Sequence, residues 1–572
     1  MLPTSPDPAL LTDDTVATLL AAQGFDVPAD DLREIGDTAR AMLEQALAWD
    51  ALEPFDHEPW SHWFDAERLA AQRQTSAPDE HPGARTAAEP GASSQAADLE
   101  GPNLEGPDLA FADAVAQAAW LRAGGSSVAL VRTYLERIER HDPHLRSFIT
   151  VTGERALRAA ERADAKLRAG RDRSALHGIP FAVKDQMLVD GVRLTGGSRV
   201  LSDVTGDRTA SAVARLEAAG AIFLGTLNTH EFHAGPTRDF PFGAARNPWD
   251  TERSPGASSS GPAAAVAAGL VTFSLGGDTG GSIRGPAAFC NLVGLKPTWG
   301  RVSRDGVIPL AWSLDCVGPL ARSTRDVAAS LRVIAGPDQR DPTASHASVD
   351  DYAAHLGAAD LRGVRIGVID EMMDEGGVSS DALAATRAAL DVLRELGATV
   401  TRVSLPLLSV AQQVCSALVL AEAASHHRRW LRERYLDYDV NTRVGFLAGA
   451  VTPAFVAAHA GRMRTAIAQQ LMALLADVDV LAGPSADAAR RLDTPHRRGA
   501  DSGPGGTPAT PLPQAYNLAG VPSLSVPCGF DPAGLPLGLQ LATRHFDEAT
   551  LLRVADAYER ATPWRGRWPT LA

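Results

Sequence analysis

Short apolar runs alternate with helical patterns along most of this chain, and that alternation limits its fold more than any other feature. "IPFAVKD", "AIFLGTL", "VRIGVID", "ATVTRVSL", "VDVLAGPS" and "PSLSVPCGF" are each short, apolar and bounded by polar or turn-forming residues, as buried strands are. Between some of them, "VALVRTYLERIERH" and "RALRAAERADAKLRAG" repeat apolar residues at helical spacing. Strands interleaved with helices bury both faces of a sheet, so the expectation is an α/β core with helices on both sides. At 572 residues the chain is long enough for several average domains, or one large domain with an appendage.

The N-terminal region departs from this pattern. Residues 13–72 read as helices: "DDTVATLLAAQG" sets Val16, Leu19 and Leu20 on one face and stops at Gly24. "ADDLREIGDTARAMLEQALAWDAL" repeats the spacing with Leu32, Ile35, Ala39, Leu43 and Leu47. The following Pro/Gly/Ala-rich segment has almost no large apolar residues and reads as a linker. The expected division is a small all-α N-terminal domain (1–72), a linker (73–107) and a catalytic domain (108–572). "RRLDTPHRRGADSGPGGTPATPLP" reads as a polar loop of the kind that forms lids or channel walls.

A formal net charge of −15 argues against a general nucleic-acid binder, which needs a basic face. Cys290, Cys316, Cys415 and Cys528 are far apart and form no CxxC pair, the usage of a reduced cytosolic protein without a zinc framework. "MLPTSPDPALLTDD" has neither the basic nor the apolar region of a signal peptide, and the apolar stretch around 263–276 is too short to span a bilayer. A cytoplasmic protein with no membrane partner is the expectation.

Chemistry concentrates in three places. "GGDTGGS" at 276–282 lets the backbone turn freely and can aim successive N–H groups at one anion; it can equally be a tight turn. Ser258, Ser259 and Ser260 precede "GPAAAVAAGL", where one of them is a nucleophile or a helix cap. Neither serine cluster completes a G-x-S-x-G elbow, and no histidine stands near in the chain. Lys184 ends the apolar run "IPFAV", so it is either a surface residue or a desolvated base. A buried, neutral amine is what a serine nucleophile needs where histidine is lacking.

In this order and spacing, "GIPFAVKD", "ASSSG" and "GGDTGGSIR" resemble the core motifs of the amidase signature family. So do "ARNPWD", "GLKPTWGRVS", "SLDCVGPLARSTRD" and "AGVPSLSVPCGFDPAGLPLGLQL", and the likeness runs over roughly residues 108–572. The resemblance implies the amidase signature fold, a mixed central sheet between helices, and a Ser–Ser–Lys triad. Ser282 matches the nucleophile, Ser258 the bridging serine and Lys184 the base. The backbone N–H groups of Thr279, Gly280, Gly281 and Ser282 match the oxyanion hole. Ser259, Asp278 and Arg284 match supporting positions, and the family's bridging serine follows a cis bond, here Ala257–Ser258. Ala257 and Ser260 stand where the family usually has glycine, and Gln186 where it usually has asparagine; none removes a triad atom.

The resemblance further implies an amide hydrolase acting through an acyl-enzyme, with no metal and no cofactor, on a small aliphatic or aryl amide or carbamate. The alternative is the glutaminase-type subunit of a tRNA-dependent amidotransferase. The N-terminal extension is more like the helical domain of some stand-alone amidases, which supports dimerisation there. The implied partners are then a small-molecule amide and a second copy of the chain, without nucleic acid. The helices of 405–470 supply either an apolar acyl pocket or core.

Overall fold

In a computed structural model, residues 7–52, 106–373, 378–486, 489–493 and 513–571 are described. Eleven strands form one sheet. In chain order they are β1 (Phe148–Val151), β2 (Pro180–Lys184), β3 (Ile222–Leu227), β4 (Phe273–Asp278), β5 (Val293–Lys296) and β6 (Cys316–Ala321). β7 (Arg365–Ile369), β8 (Thr399–Val403), β9 (Val480–Pro484), β10 (Ser523–Phe530) and β11 (Pro536–Ala542) follow. Across the sheet they lie in the order β1-β3-β2-β4-β6-β5-β10-β11-β9-β7-β8. β3, β2 and β4 are mutually parallel, as are β8, β7 and β9; antiparallel strands join the two groups. The sheet is therefore mixed, with helices covering it.

The six apolar runs are β2, β3, β7, β8, β9 and β10. β2 and β3 are buried along their whole length, which explains why they read as continuous apolar stretches without alternation. β8, at the sheet edge, is mostly exposed and carries Arg402, a charge that discourages pairing with another chain. β4, β5 and β6 have no such signature, because close packing puts glycine into them. At Gly318 in β6, an added Cβ would lie 2.0 Å from the carbonyl oxygen of Leu295 in β5. Strand and packing there demand a residue of poor strand propensity.

Helices Asp13–Ala22 and Ala29–Ala48 form the described all-α N-terminal part. The Thr12 hydroxyl caps the first by accepting from the Thr15 N–H, and Asp13 and Asp14 sit in its first turn, where the helix dipole favours acids. Val16, Leu20, Ile35, Ala39 and Leu43 are buried as their spacing predicts, whereas Leu19 points to solvent and Leu32 and Leu47 are half-buried. These helices pack directly on helices Val440–Val451 and Ala454–Asp477 and share one apolar cluster with them. Asp31 is the polar anchor: its Oδ2 accepts from Tyr435 Oη at 2.7 Å and from Arg443 Nε at 2.8 Å. The boundary expected within 73–107 lies outside the described residues, apart from the first residues of helix Gly106–Phe111, and so does the polar loop at 490–513 apart from 490–493 and Pro513.

Helix Leu408–Glu433 is, among the described residues, the one single helix long and apolar enough to cross a membrane. It packs against Val440–Val451 and Ala454–Asp477 as part of the core. All four cysteines are buried and unpaired.

Removing the anchor should loosen the N-terminal helices selectively. Asp31→Ala leaves the Tyr435 hydroxyl and the Arg443 guanidinium without their acceptor, an expected loss of about 1–3 kcal/mol. Hydrogen exchange should speed up first in 13–48; uniform acceleration across the chain would show that these helices are not a separately opening unit.

Candidate active site

The centre of the sheet builds the site. β2 lies between β3 and β4, so the side chain that ends it, Lys184, has strands on both sides and no exposed surface. β4 runs parallel to β2, and its C-terminal end, Asp278, leads into the Thr279–Ile283 turn and helix Arg284–Phe289. Parallel strand ends of this kind leave a crevice in which ligands are usually bound.

Lys184 Nζ donates to Ser258 Oγ at 2.7 Å and makes a longer contact, 3.4 Å, with the Gly277 carbonyl. Burial lowers this amine to about 7, against the opposing pull of the Asp278 and Asp315 carboxylates. The Ser258 N–H in turn donates to Ser282 Oγ at 3.4 Å. Ser258 thus touches the lysine through its hydroxyl and Ser282 through its backbone. The Ser259 hydroxyl does not cap the helix that starts at Ser260. It donates to the Gly277 carbonyl at 3.2 Å and accepts from the Gly277 N–H at 3.3 Å, bracing β4 beside Lys184. Among the described residues the cis peptide bond is Gly235–Pro236, so Ala257–Ser258 is trans, a correction to the resemblance. Trans is the lower form by about 2.5–4 kcal/mol for a non-proline bond, and in it the Ser258 backbone faces Ser282.

The turn is held by a buried ion pair. Arg284 Nη2 lies 3.0 Å from Asp278 Oδ1, and neither side chain is exposed. Asp278 also accepts from the N–H groups of Gly281 (2.7 Å) and Ile283 (3.0 Å) and from Asn517 Nδ2 (2.7 Å). Burial disfavours its charge, but the Arg284 guanidinium and these donors hold the carboxyl well below the usual range. Arg284 reaches Gln540 Oε1 at 3.0 Å and Asn517 Oδ1 at 2.5 Å, tying the turn to elements more than two hundred residues onward. Asp278 and Arg284 therefore organise the loop.

This corrects the set of free amides. The Gly281 N–H is spent on Asp278, whereas those of Thr279, Gly280 and Ser282 have no protein acceptor among the described residues. Asp315, whose Oδ1 accepts from the Thr279 hydroxyl at 2.6 Å, and Gln540 stand within family-like stretches of the sequence, and Asn517 just before one, but none of the three is singled out there as a site residue. On the Thr279 side of the loop lies a small cleft, with room for about one water, lined by Gln186, His233, Thr279, Arg304, Asp315 and Cys316, among others. Ser258 and Ser282 are not part of its lining.

A family model described as amidase matches residues 129–552. The chain belongs to the amidase signature family. The glutamyl-tRNA(Gln) amidotransferase A subunit from Roseiflexus sp. (strain RS-1) is 42% identical over 485 residues, 80% of this chain and 97% of that protein. The solved peptide amidase from Stenotrophomonas maltophilia superposes with a TM-score of 0.69 at 32% identity, over 80% of this chain and 98% of that one. A bacterial aryl acylamidase of the amidase signature family gives 0.73 at 25% identity, over 80% and 97%. This amidase signature enzyme is thus most similar, by identity among these three, to one component of an enzyme named for a tRNA. The expectation that nucleic acid plays no part is overturned by that relative. A formal net charge of −15 counts against a general nucleic-acid binder but does not exclude a local basic patch.

The buried lysine has a signature in stability. Unfolded, lysine titrates near 10.4, roughly; folded, Lys184 titrates at about 7. Between these values unfolding takes up a proton, so stability rises with pH, and the burial cost is present in full only below the folded value. Lys184→Met should therefore melt higher than the wild type, with its advantage largest below about pH 7 and shrinking toward about pH 10. Melts across that range check this, and a pH-independent difference would mean an unshifted amine.

Proposed function

We propose that this enzyme cleaves an amide C–N bond by acyl transfer to Ser282, with Ser258 and Lys184 moving the proton. The observation that carries the reading is a buried amine, lowered to about 7, at 2.7 Å from a serine hydroxyl beside a second serine. Neutral Lys184 accepts the Ser258 proton while Ser258 accepts that of Ser282, whose oxygen attacks the carbonyl carbon. The free N–H groups of Thr279, Gly280 and Ser282 stabilise the resulting oxyanion. The C–N bond breaks as the proton returns through Ser258 to the departing nitrogen, a poor leaving group otherwise. Water then attacks the acyl-Ser282 ester, releasing the carboxylate and restoring the hydroxyl. The serine hydroxyls must close on each other for this relay, and such contacts commonly tighten only when substrate binds.

For the substrate, similarity to the amidotransferase component over 97% of its length supports release of nitrogen from a glutamine-like carboxamide for a partner. The second reading is a self-contained amide hydrolase. It is favoured by the fifth of the chain that has no counterpart in that relative and by the N-terminal helices seated on its own body. Ammonia release from glutamine, hexanamide and benzamide, with and without glutamyl-tRNA(Gln) and companion amidotransferase subunits, tests the two. Glutamine turnover that rises with the companions supports the first; turnover of the other amides by the chain alone supports the second.

Ser282→Ala should lower amide turnover by at least about ten-thousand-fold with the fold intact. A fluorophosphonate should label Ser282; an adduct on Ser258 or Ser259 would reverse the assignment. Lys184→Ala should lose more activity on an amide than on the matched ester, whose leaving group needs less protonation. Equal losses would leave Lys184 a positional role only.

A further inference from the structure

The chain carries a formal charge of −15, yet its cations are not spread evenly. Helix Gly153–Arg168 and the turn after it, residues 153–173, hold seven cations against four acids. Three of those acids are committed to the fold. Asp164 accepts from the Ser126 hydroxyl at 2.7 Å and the Ser127 N–H at 2.6 Å, Asp172 pairs with Arg122 at 2.5 Å, and Glu154 lies 3.4 Å from Arg158. Arg155 turns to Glu217 at 2.9 Å. Arg162, Lys166, Arg171 and Arg173 are left with no carboxylate partner among the described residues; the Arg173 guanidinium donates to the Ala218 carbonyl at 3.2 Å.

Local geometry gathers these four. The helix seats Ala156, Ala160 and Ala163 in the core, and Arg162 and Lys166, one turn apart, share a flank. The remaining acid, Glu161, lies with Arg168 on a different flank, seven positions apart. Gly170, at φ 66°, closes the helix: its N–H donates to the Leu167 carbonyl and the Arg171 N–H to the Lys166 carbonyl, both at 2.9 Å. This left-handed turn folds the chain back and returns Arg171 and Arg173 to the side of Lys166. Partial burial, and then the charges of Arg173, Arg162 and Arg171, hold the Lys166 ammonium below its ordinary value, so the four cations stand within reach of one another. The helix dipole favours a cation in the last turn and accounts for Lys166, but not for Arg171 and Arg173 beyond the end. Like charges brought together repel, and an anion of several charges complements them.

We propose that Arg162, Lys166, Arg171 and Arg173 form a phosphodiester-binding surface for RNA. The choice of RNA among polyanions rests on the amidotransferase reading above; the chemistry of the surface does not. Three of the four are arginines, whose guanidinium forks hold phosphate oxygens in pairs. Residues 153–173 include no aromatic side chain, so the surface grips backbone and stacks on no base. The chain's overall negative charge does not oppose this contact. At 0.1 M salt the Debye length is about 10 Å, so distant carboxylates are screened while cations touching a phosphate act in full. Binding of this kind is electrostatic and independent of sequence.

The test uses the full chain and two fluorescein-labelled RNAs, a tRNA(Gln) transcript and a hairpin of unrelated sequence, followed by anisotropy. Both should bind with similar Kd, about 1–100 μM near 0.1 M salt, and log Kd should rise with log salt at a slope of about 3–4, as four phosphate contacts give. Arg162→Glu, Lys166→Glu and Arg171→Glu combined should weaken both RNAs at least about tenfold and lower the slope by about three. Arg387→Glu, Arg394→Glu and Arg402→Glu combined make the same change in net charge at exposed sites elsewhere and should alter Kd less than about twofold. The neutral pair Arg162→Gln and Arg171→Gln, expected to lower the slope by about two, keeps the test decisive if the triple variant does not fold. A wild type that binds neither RNA, patch variants that bind as well as wild type, or a control variant equally weakened would overturn the proposal. So would polyglutamate binding as tightly as RNA, which would assign the surface to an acidic protein. Ammonia release from glutamine with the companion subunits keeps the readings apart. Turnover by a wild type that binds no RNA sinks this surface alone, and RNA binding lost only in the patch variants upholds the surface whether or not glutamine turns over.

Discussion

A carboxylate with no exposed surface stays ionised only where cations and donors replace its water, and Asp278 is such a group. Arg284, two backbone amides and Asn517 surround it, so its position fixes the shape of the turn that bears Ser282. The same charge acts at a distance on Lys184. Burial of the amine by itself would push its titration further down, and the fields of Asp278 and Asp315 hold it at about 7. One buried anion thus shapes the loop that bears Ser282 and helps tune the Lys184 amine behind it. The proposed acyl transfer would use this balance, since an amine lowered too far accepts protons poorly and one left at its ordinary value carries a proton already.

That coupling explains which parts of the site were legible in the sequence. Lys184, Ser258 and Ser282 stand in short motifs that resemble those of the amidase signature family, and the fold brings Lys184 beside Ser258 and the Ser258 backbone beside Ser282. The free amides were not legible in this way. Gly281 looked equivalent to Gly280, yet its N–H is turned to Asp278 by a carboxylate three positions earlier, and only coordinates reveal that direction. Asn517 and Gln540 complete the ion pair from the far end of the chain; Gln540 stands in a family-like stretch, but nothing there points either side chain at Asp278 or Arg284.

The fold divides the same way. Strands β2 and β3 were readable because full burial makes their sequences continuously apolar. β4 and β6 were hidden because close packing requires glycine, as at Gly318 against the Leu295 carbonyl, and glycine erases strand propensity. Where chemistry and close packing coincide, in β4 and the turn after it, local propensity is the poorest guide to structure.

The N-terminal helices enter this arrangement through a continuous set of contacts. Asp31 binds Arg443, placing helix Ala29–Ala48 on Val440–Val451, which packs along Leu408–Glu433. That long helix supplies Glu422, which accepts from the N–H and hydroxyl of Ser313, and Cys415, whose sulfur lies 3.9 Å from the Thr279 carbonyl. The helix behind the Thr279–Ile283 turn is therefore clamped from outside by residues that precede the amidase match at 129–552. Side chains in a close-packed interior transmit displacement, so the outer pair bears on how firmly the turn is backed. An appendage seated in this position adds packing to a scaffold whose rigidity the proposed acyl transfer would use, because donors preorganised toward an oxyanion lose their advantage once they must reorient.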